Sequence, residues 1–318
     1  MSFSPQHIDR LRLRHLRLLD LIDQHGSLRA VGTILNLTQP AVSQMVKDLE
    51  YAFGVTLIDR SVRGVTLSAA GLIALQRARS GLASFDHLAA ELQTDQTLML
   101  RIGTNSAMLF QILPDALRRL DAGQSGIRFK IHTGVVAEMM HALLEGELDC
   151  YFGRVDWDQV SPDMAAVLHH VPLAHTDLVL ACSTAHPLAG RRNLTPGDLA
   201  DWPWALPPAD SNNRIALESG LRNHGLAGPL PAVEVVADPN ALIVLAQQLN
   251  LLTCVPRLAL DTHMAAADLC VLDLPDLRLP PIQISFITLA AHADMVPLQN
   301  LRQAVIAATR VGVGAVAG

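Results

Sequence analysis

Gln39, Ser43, Gln44 and Lys47 fall within nine residues, all polar and none acidic. A glutamine amide can pair bidentately with an adenine edge, a serine hydroxyl can bond base edges or a phosphate, and a lysine ammonium neutralises phosphate charge. That is chemistry for the groove of a nucleic-acid duplex, although residue types alone also permit an ordinary solvated helix face. A second set lies further along, at the ends of predicted strands: Thr104, Asn105 and Ser106; Thr133 and Gly134; Pro207, Ser211 and Asn212; Asp238 and Asn240. Hydroxyls, amides and free N–H groups at helix starts suit a carboxylate or a polyol. Each of these residues could equally be a plain helix cap.

The first set depends on three predicted helices. Leu13, Leu16 and Leu19–Leu21 recur at helical spacing up to Gly26, a suitable C-cap, after which Ser27 can cap a helix to about Leu35. Thr38 caps the third, with Pro40 in its first turn, where a missing N–H costs nothing. Val42, Met45, Val46 and Leu49 follow the i, i+3, i+4, i+7 rule and must face a core, so Gln39, Ser43, Gln44 and Lys47 face outward. Two helices joined by a tight turn, the second with such a face, form a helix-turn-helix. The runs Val55–Arg60 and Val65–Leu67 predict two short strands around a polar turn, a wing that would bring Arg60 and Arg63 to the backbone or minor groove.

From Ser68, a plausible cap, the chain runs without proline through Leu92. Leu75, Ala78, Leu82, Phe85, Ala89 and Leu92 are spaced alternately by three and four, as in a coiled-coil seam, and predict a dimer; a lone helix packed on its own domain would show the same stripe. From Leu98, strand-like and helical runs alternate. Leu98–Gly103, a helix near Gln111–Leu120, Arg128–Thr133, a helix from Val136 to Leu144 and Leu148–Gly153 predict one α/β unit with a largely parallel sheet. A second unit follows from Thr176 to Cys254. Two such units predict a bilobed α/β receptor that binds its ligand beyond the carboxyl ends of the strands, between the lobes. The expected boundaries are 1–67 for the DNA-binding head, 68–96 for the linker helix and 97–318 for the effector domain, with lobe I formed by 97–170 and 271–318 and lobe II by 171–270.

The chain has 318 residues, 50% hydrophobic and 17% charged, with a net charge of −6, which excludes disorder as its main state. Before Ser68, eight basic residues outnumber six acidic ones, so a mildly basic head is joined to a body carrying −8. Cys150, Cys182, Cys254 and Cys270 include no CxxC pair, which argues for a reducing cytoplasm and against a disulfide framework or zinc ribbon. The arginine-bearing N-terminus is unlike a signal peptide, and the longest apolar stretch, Ala241 to Pro256, is too short to span a bilayer. No GxSxG, HExxH or P-loop motif occurs. His169, His170 and His175, in a predicted crossing between lobes without carboxylate or cysteine nearby, read as packing or surface histidines rather than a metal site. No cofactor is expected. Asp149 and Arg154 near a strand end read as a structural salt bridge.

The run GSLRAVGTILNLTQPAVSQMVKDLEYAFGVTLIDRSVRGVTLSAAG, residues 26–71, resembles the winged helix-turn-helix of the LysR-type transcriptional regulators in spacing and nearly in residue type. That resemblance implies groove contacts by Thr38, Gln39, Pro40, Ala41, Ser43, Gln44 and Lys47, with Ser27 at the preceding helix and Arg60 and Arg63 in the wing. Departures are Val31, Gly32 and Ile34, where the family usually has alanines, and Gln44, where arginine is common. IGTNSAM, LLEGELDCYFGR and HPLAG resemble the same family's periplasmic-binding-protein-like effector domain, and DLADWPWALPPADSNNR is similar to a branch that senses sugars or aromatic acids. The resemblance implies a ligand-responsive regulator, not an enzyme, with promoter DNA, a small organic acid or sugar and RNA polymerase as partners, assembled as a homodimer or homotetramer. The alternatives are an α/β enzyme with an accessory helical head, or a solute-binding protein.

Overall fold

The structure is a computed structural model that describes the chain except residues 1–4, 62–63, 94–96, 156, 158–159, 237, 263–267 and 315–318. Two compact units result, Met1–Thr97 with Leu144–Glu147, and Leu98–Leu143 with Leu148–Gly318.

The first unit runs α1 (Pro5–Ile8), α2 (Leu13–His25), α3 (Leu28–Leu35), α4 (Gln39–Phe53), β1 (Ile58–Ser61), β2 (Gly64–Leu67) and α5 (Ala69–Gln93). Its breaks fall where local chemistry stops a helix. Gly26, at φ +61°, closes α2, and Asn36, at φ +54°, closes α3. Ser27 Oγ accepts the Ala30 N–H and Thr38 Oγ1 the Ala41 N–H, each at 3.4 Å, capping α3 and α4. Val42, Met45, Val46 and Leu49 are buried with Leu18, Leu19, Ile22 and Val31 in one core. The wing begins at Ile58 rather than Val55, because Glu50 Oε1 accepts the Leu57 N–H at 2.9 Å before pairing can start. Ser68 Oγ accepts the Gly71 N–H at 3.0 Å and so caps α5 as its position suggests.

The second unit contains two five-stranded sheets. β3 (Leu98–Thr104), β4 (Ile127–Thr133) and β5 (Cys150–Arg154) are parallel, joined through α6 (Ser106–Gln111), α7 (Leu113–Arg119) and α8 (Val136–Leu144), and α9 (Pro162–Ala165) follows β5. β6 (Leu168–Thr176) joins this first sheet, whose order is β4-β3-β5-β12-β6, β12 being Ile282–Leu289. β12 is antiparallel to both neighbours, so the sheet is parallel only over three strands. The second sheet has the order β11-β7-β10-β8-β9, from β7 (Leu178–Ser183), β8 (Pro203–Leu206), β9 (Leu230–Glu234), β10 (Leu252–Pro256) and β11 (Leu269–Val271). Its helices are α10 (Asn212–Asn223), α11 (Pro239–Leu249) and α12 (Arg257–Thr262); α13 (Val296–Gly314) ends the chain.

Three expectations are corrected. The helix near Gln111–Leu120 is two helices, α6 and α7, with Pro114 in the first turn of α7. The lobe boundaries at 170 and 271 move, because β6 pairs with β12 from Leu168 to Thr176, while Leu272 and Leu277 remain in the second lobe's core. The histidines therefore lie on a first-lobe strand rather than in a crossing. Pro172 is tolerated there because β6 is an edge strand, and the register shifts between Ile284 and Ser285, opposite it.

Candidate DNA interface and effector cleft

Helix α4 presents the first candidate site. Gln39, Pro40, Gln44 and Lys47 are exposed and Ala41 and Ser43 half-exposed, while the opposite side of the same helix is buried. Thr38 is exposed even though its hydroxyl serves as the cap, and Ser27 starts the helix before the turn. These residues come together on one side of the head. Gln44 Nε2 donates to Asp48 Oδ1 at 2.9 Å, so the amide is held by a carboxylate one turn on. The sequence reading missed Tyr51. It lies one turn beyond Lys47, two beyond Gln44, and is 68% exposed; continuing the outward face by i+4 from Lys47 would have found it. Arg60 is exposed on β1, and Arg63 lies outside the described residues.

The proposed seam on α5 divides in two. Leu75 and Ala78 are buried in the head's own core and Leu82 is half-buried, so the first two at least are not free for a partner. Phe85 is 51% exposed, Leu92 64%, and Ala89 is exposed; Leu88, outside the expected seam, is 50% exposed. The reason is length. A helix of 25 residues extends about 37 Å, whereas the 13 residues of α2 cover only about half of that. Arg79 Nη2 bridges Asp20 at 2.7 Å and Asp23 at 3.1 Å, and Arg17 Nη2 reaches Asp86 at 3.7 Å.

The effector candidates gather at the carboxyl ends of β3, β8 and the segment after β9. Asn105 caps α6 by accepting the Met108 N–H at 3.0 Å, and Asp238 caps α11 by accepting the N–H groups of Asn240 and Ala241. Ser106 Oγ donates to Asp238 Oδ1 at 2.9 Å, so one lobe's helix start is bonded to the other's. Arg154 Nη1, at the end of β5, donates to Asn213 Oδ1 in the first turn of α10, a second link between lobes. The expected Asp149–Arg154 pair is thus corrected: Asp149 Oδ2 accepts the Arg101 N–H at 2.7 Å and faces its guanidinium at 3.6 Å. Asn240 Nδ2 is buried without a hydrogen-bond partner among the described residues, a donor awaiting an acceptor.

Other expected residues divide between lining and support. Thr104 is fully buried and its hydroxyl donates to Phe152 O at 2.8 Å, which removes it from the lining side chains. Thr133 is exposed at the end of β4 and Gly134 half-exposed. Ser211 precedes α10 without a side-chain cap bond, and Asn212 is half-exposed. Pro207 O accepts from Arg214 Nη1 at 3.3 Å; that buried guanidinium also bonds Glu218 and Glu234 and so fixes α10 beside β8 and β9.

His169, His170 and His175 do not converge: 169 and 170 point to opposite faces of β6, and His170 stacks on Trp157 with ring centres 4.2 Å apart. Among the described residues no three His, Cys, Asp or Glu side chains are placed to hold a metal, and no helix is long and apolar enough to cross a membrane.

Residues 13–72 match the family model described as "Bacterial regulatory helix-turn-helix protein, lysR family", and residues 93–310 match "LysR substrate binding domain". The HTH-type transcriptional regulator GbpR of Azospirillum brasilense is 28% identical over 242 residues, 75% of this chain and 70% of that protein. The HTH-type transcriptional regulator MetR of Salmonella typhimurium is 27% identical over 224 residues, 70% of this chain and 69% of its own. A full-length OxyR from Pseudomonas aeruginosa has the same fold, with a TM-score of 0.57 at 18% identity over 95% of both chains.

Proposed function

Because this chain belongs to the LysR family, and is a DNA-binding transcriptional regulator with an effector-binding domain rather than an enzyme, we propose that the outward face of α4 is its reading surface. Gln39, Ser43 and Gln44 contact base edges, Lys47 and Arg60 contact phosphates, and Thr38, Pro40 and Ala41 bring the helix start close to the duplex. The observation that carries this is the division of α4 into a fully buried apolar side and an exposed side whose one acid, Asp48, is engaged by Gln44. On DNA, Gln44 exchanges that intramolecular bond for a base edge.

Regulators of this family bind promoter DNA and small-molecule effectors and oligomerise. In this chain we assign the effector to the space between the lobes, beside Ser106, Arg154, Ser211, Asn212, Asp238 and Asn240. The unpartnered Asn240 amide and the Arg154 guanidinium suit a carboxylate, and Asp238 suits a hydroxyl, so the reading is a small organic acid or sugar. An effector favouring one lobe arrangement shifts the population of subunit arrangements and hence the spacing of two heads on DNA. The overhanging part of α5, with Phe85, Leu88 and Leu92, is the assigned contact with a second copy. The assembly works in the cytoplasm and passes its state to RNA polymerase.

The test is selection of duplexes from a random pool by the full-length chain. Enrichment of a site with two related halves about one helical turn apart is expected. Retention of no duplex even at low salt would contradict the reading.

A further inference from the structure

The match to the family's helix-turn-helix begins at residue 13, yet the described residues before it pack beside the reading helix. His7 stacks on Tyr51 of α4 with ring centres 4.5 Å apart, and its Nε2 lies 3.3 Å from the Tyr51 hydroxyl. An open cleft of about 420 Å³ runs between this segment and α4, bounded by Ala41, Met45 and Asp48 on one side and by Arg10, Arg12 and Arg14 on the other. The three arginines are exposed and have no carboxylate partner among the described residues. Asp48 is engaged elsewhere, by Gln44 at 2.9 Å and across 4.0 Å from His15 Nε2. At about 100° per residue, Ala41, Met45 and Asp48 form the stripe adjoining Gln44, Lys47 and Tyr51. The arginines therefore flank the face that enters the groove, where the phosphate backbone passes.

We propose that Arg10 and Arg12, with Arg14, form an N-terminal phosphate clamp that holds the DNA backbone alongside α4; Arg10 and Arg12 precede the residues matched to the family's helix-turn-helix, and Arg14 lies just inside them. Three like charges with no carboxylate paired to them among the described residues repel one another until a polyanion arrives, and a guanidinium fork matches phosphate oxygens bidentately. The clamp rests on the DNA-binding reading above and adds affinity without sequence preference. Arg12 starts α2 through main-chain atoms, its N–H donating to His15 Nδ1 at 2.9 Å, so its side chain can be truncated without unmaking the helix start.

The experiment compares full-length wild type with Arg10→Ala/Arg12→Ala on a selected duplex and on a scrambled duplex of equal length, over a series of salt concentrations. Both affinities should fall by a similar factor, and the slope of log affinity against log salt should lessen by about two for each head engaged, close to 0.9 for each phosphate no longer neutralised. Arg10→Lys/Arg12→Lys should keep most of that slope, since the charge is retained, and unchanged circular dichroism would exclude misfolding. An unchanged slope, tighter binding by the alanine variant, or a loss confined to the selected duplex would each overturn the clamp. Wild type that binds neither duplex would remove the DNA-binding reading and the clamp together. Wild type that binds, beside a variant of unchanged slope, would remove the clamp alone.

Discussion

Lys47 and Gln39 occupy the same face of α4 but should fail differently when truncated. Lys47→Ala should weaken binding to every duplex by a similar factor and lower the salt slope by about one for each head engaged, read by fluorescence anisotropy at several salt concentrations; a loss restricted to one sequence would contradict the phosphate role. A different signature belongs to His186, which is buried against Trp202, ring centres 4.4 Å apart, its Nδ1 accepting the Leu188 N–H at 3.1 Å. Burial pushes its pKa below the ordinary 6.5. The unfolded chain therefore binds the proton first, so stability should be lost as pH falls below about 6.5 towards the folded-state value, and His186→Phe should flatten that decline in thermal melts. Caps were legible at this scale, since Ser27, Thr38 and Ser68 need only their immediate neighbours. The Arg154–Asn213 and Ser106–Asp238 bonds join residues 59 and 132 positions apart, and no local pattern announces them. Thr104 misled for the complementary reason: its place at a strand end was legible, but not the Phe152 carbonyl that takes up its hydroxyl.

Among the elements, α5 and the chain that forms the wing are locked together at a single glycine. A Cβ on Gly71 would sit 2.0 Å from the Leu57 carbonyl oxygen, which is main chain and cannot turn away. Gly71→Ala should lift α5 off the wing and cost about 1–3 kcal/mol or more, seen as a lower first transition in denaturant melts; an unchanged transition would contradict the packing. The helices of the head were legible because apolar period, caps and breaks agree. The seam on α5 was legible only in part. Periodicity marks an apolar face but not where a shorter helix stops covering it, so Leu75 and Ala78 belong to the core while Phe85 and Leu92 do not. Leu88→Lys/Leu92→Lys should reduce the solution mass to that of a monomer with helicity retained, and an unchanged mass by light scattering would refute the α5 contact. Strand β6 was misplaced because its run LHHVPLAHT carries a proline and three histidines, and only pairing along β12 makes it a strand.

For the whole molecule, a basic head and a bilobed sensor follow from the order of elements, whereas the ligand follows from side chains that only the folded lobes bring together. A small acid or sugar at about 100 times its dissociation constant should add about 2.7 kcal/mol to stability, and Asp238→Ala should abolish that shift while leaving duplex binding by the head intact. Whether α4 reads sequence is decided by the ratio of affinities for a selected duplex and a scrambled one. Gln39→Ala/Ser43→Ala should lower that ratio at least about fivefold, because a good bidentate base contact discriminates by about 1–3 kcal/mol, with scrambled-duplex affinity little changed. A double variant that preserves the wild-type ratio would show that the outward face of α4 is not where this protein recognises DNA.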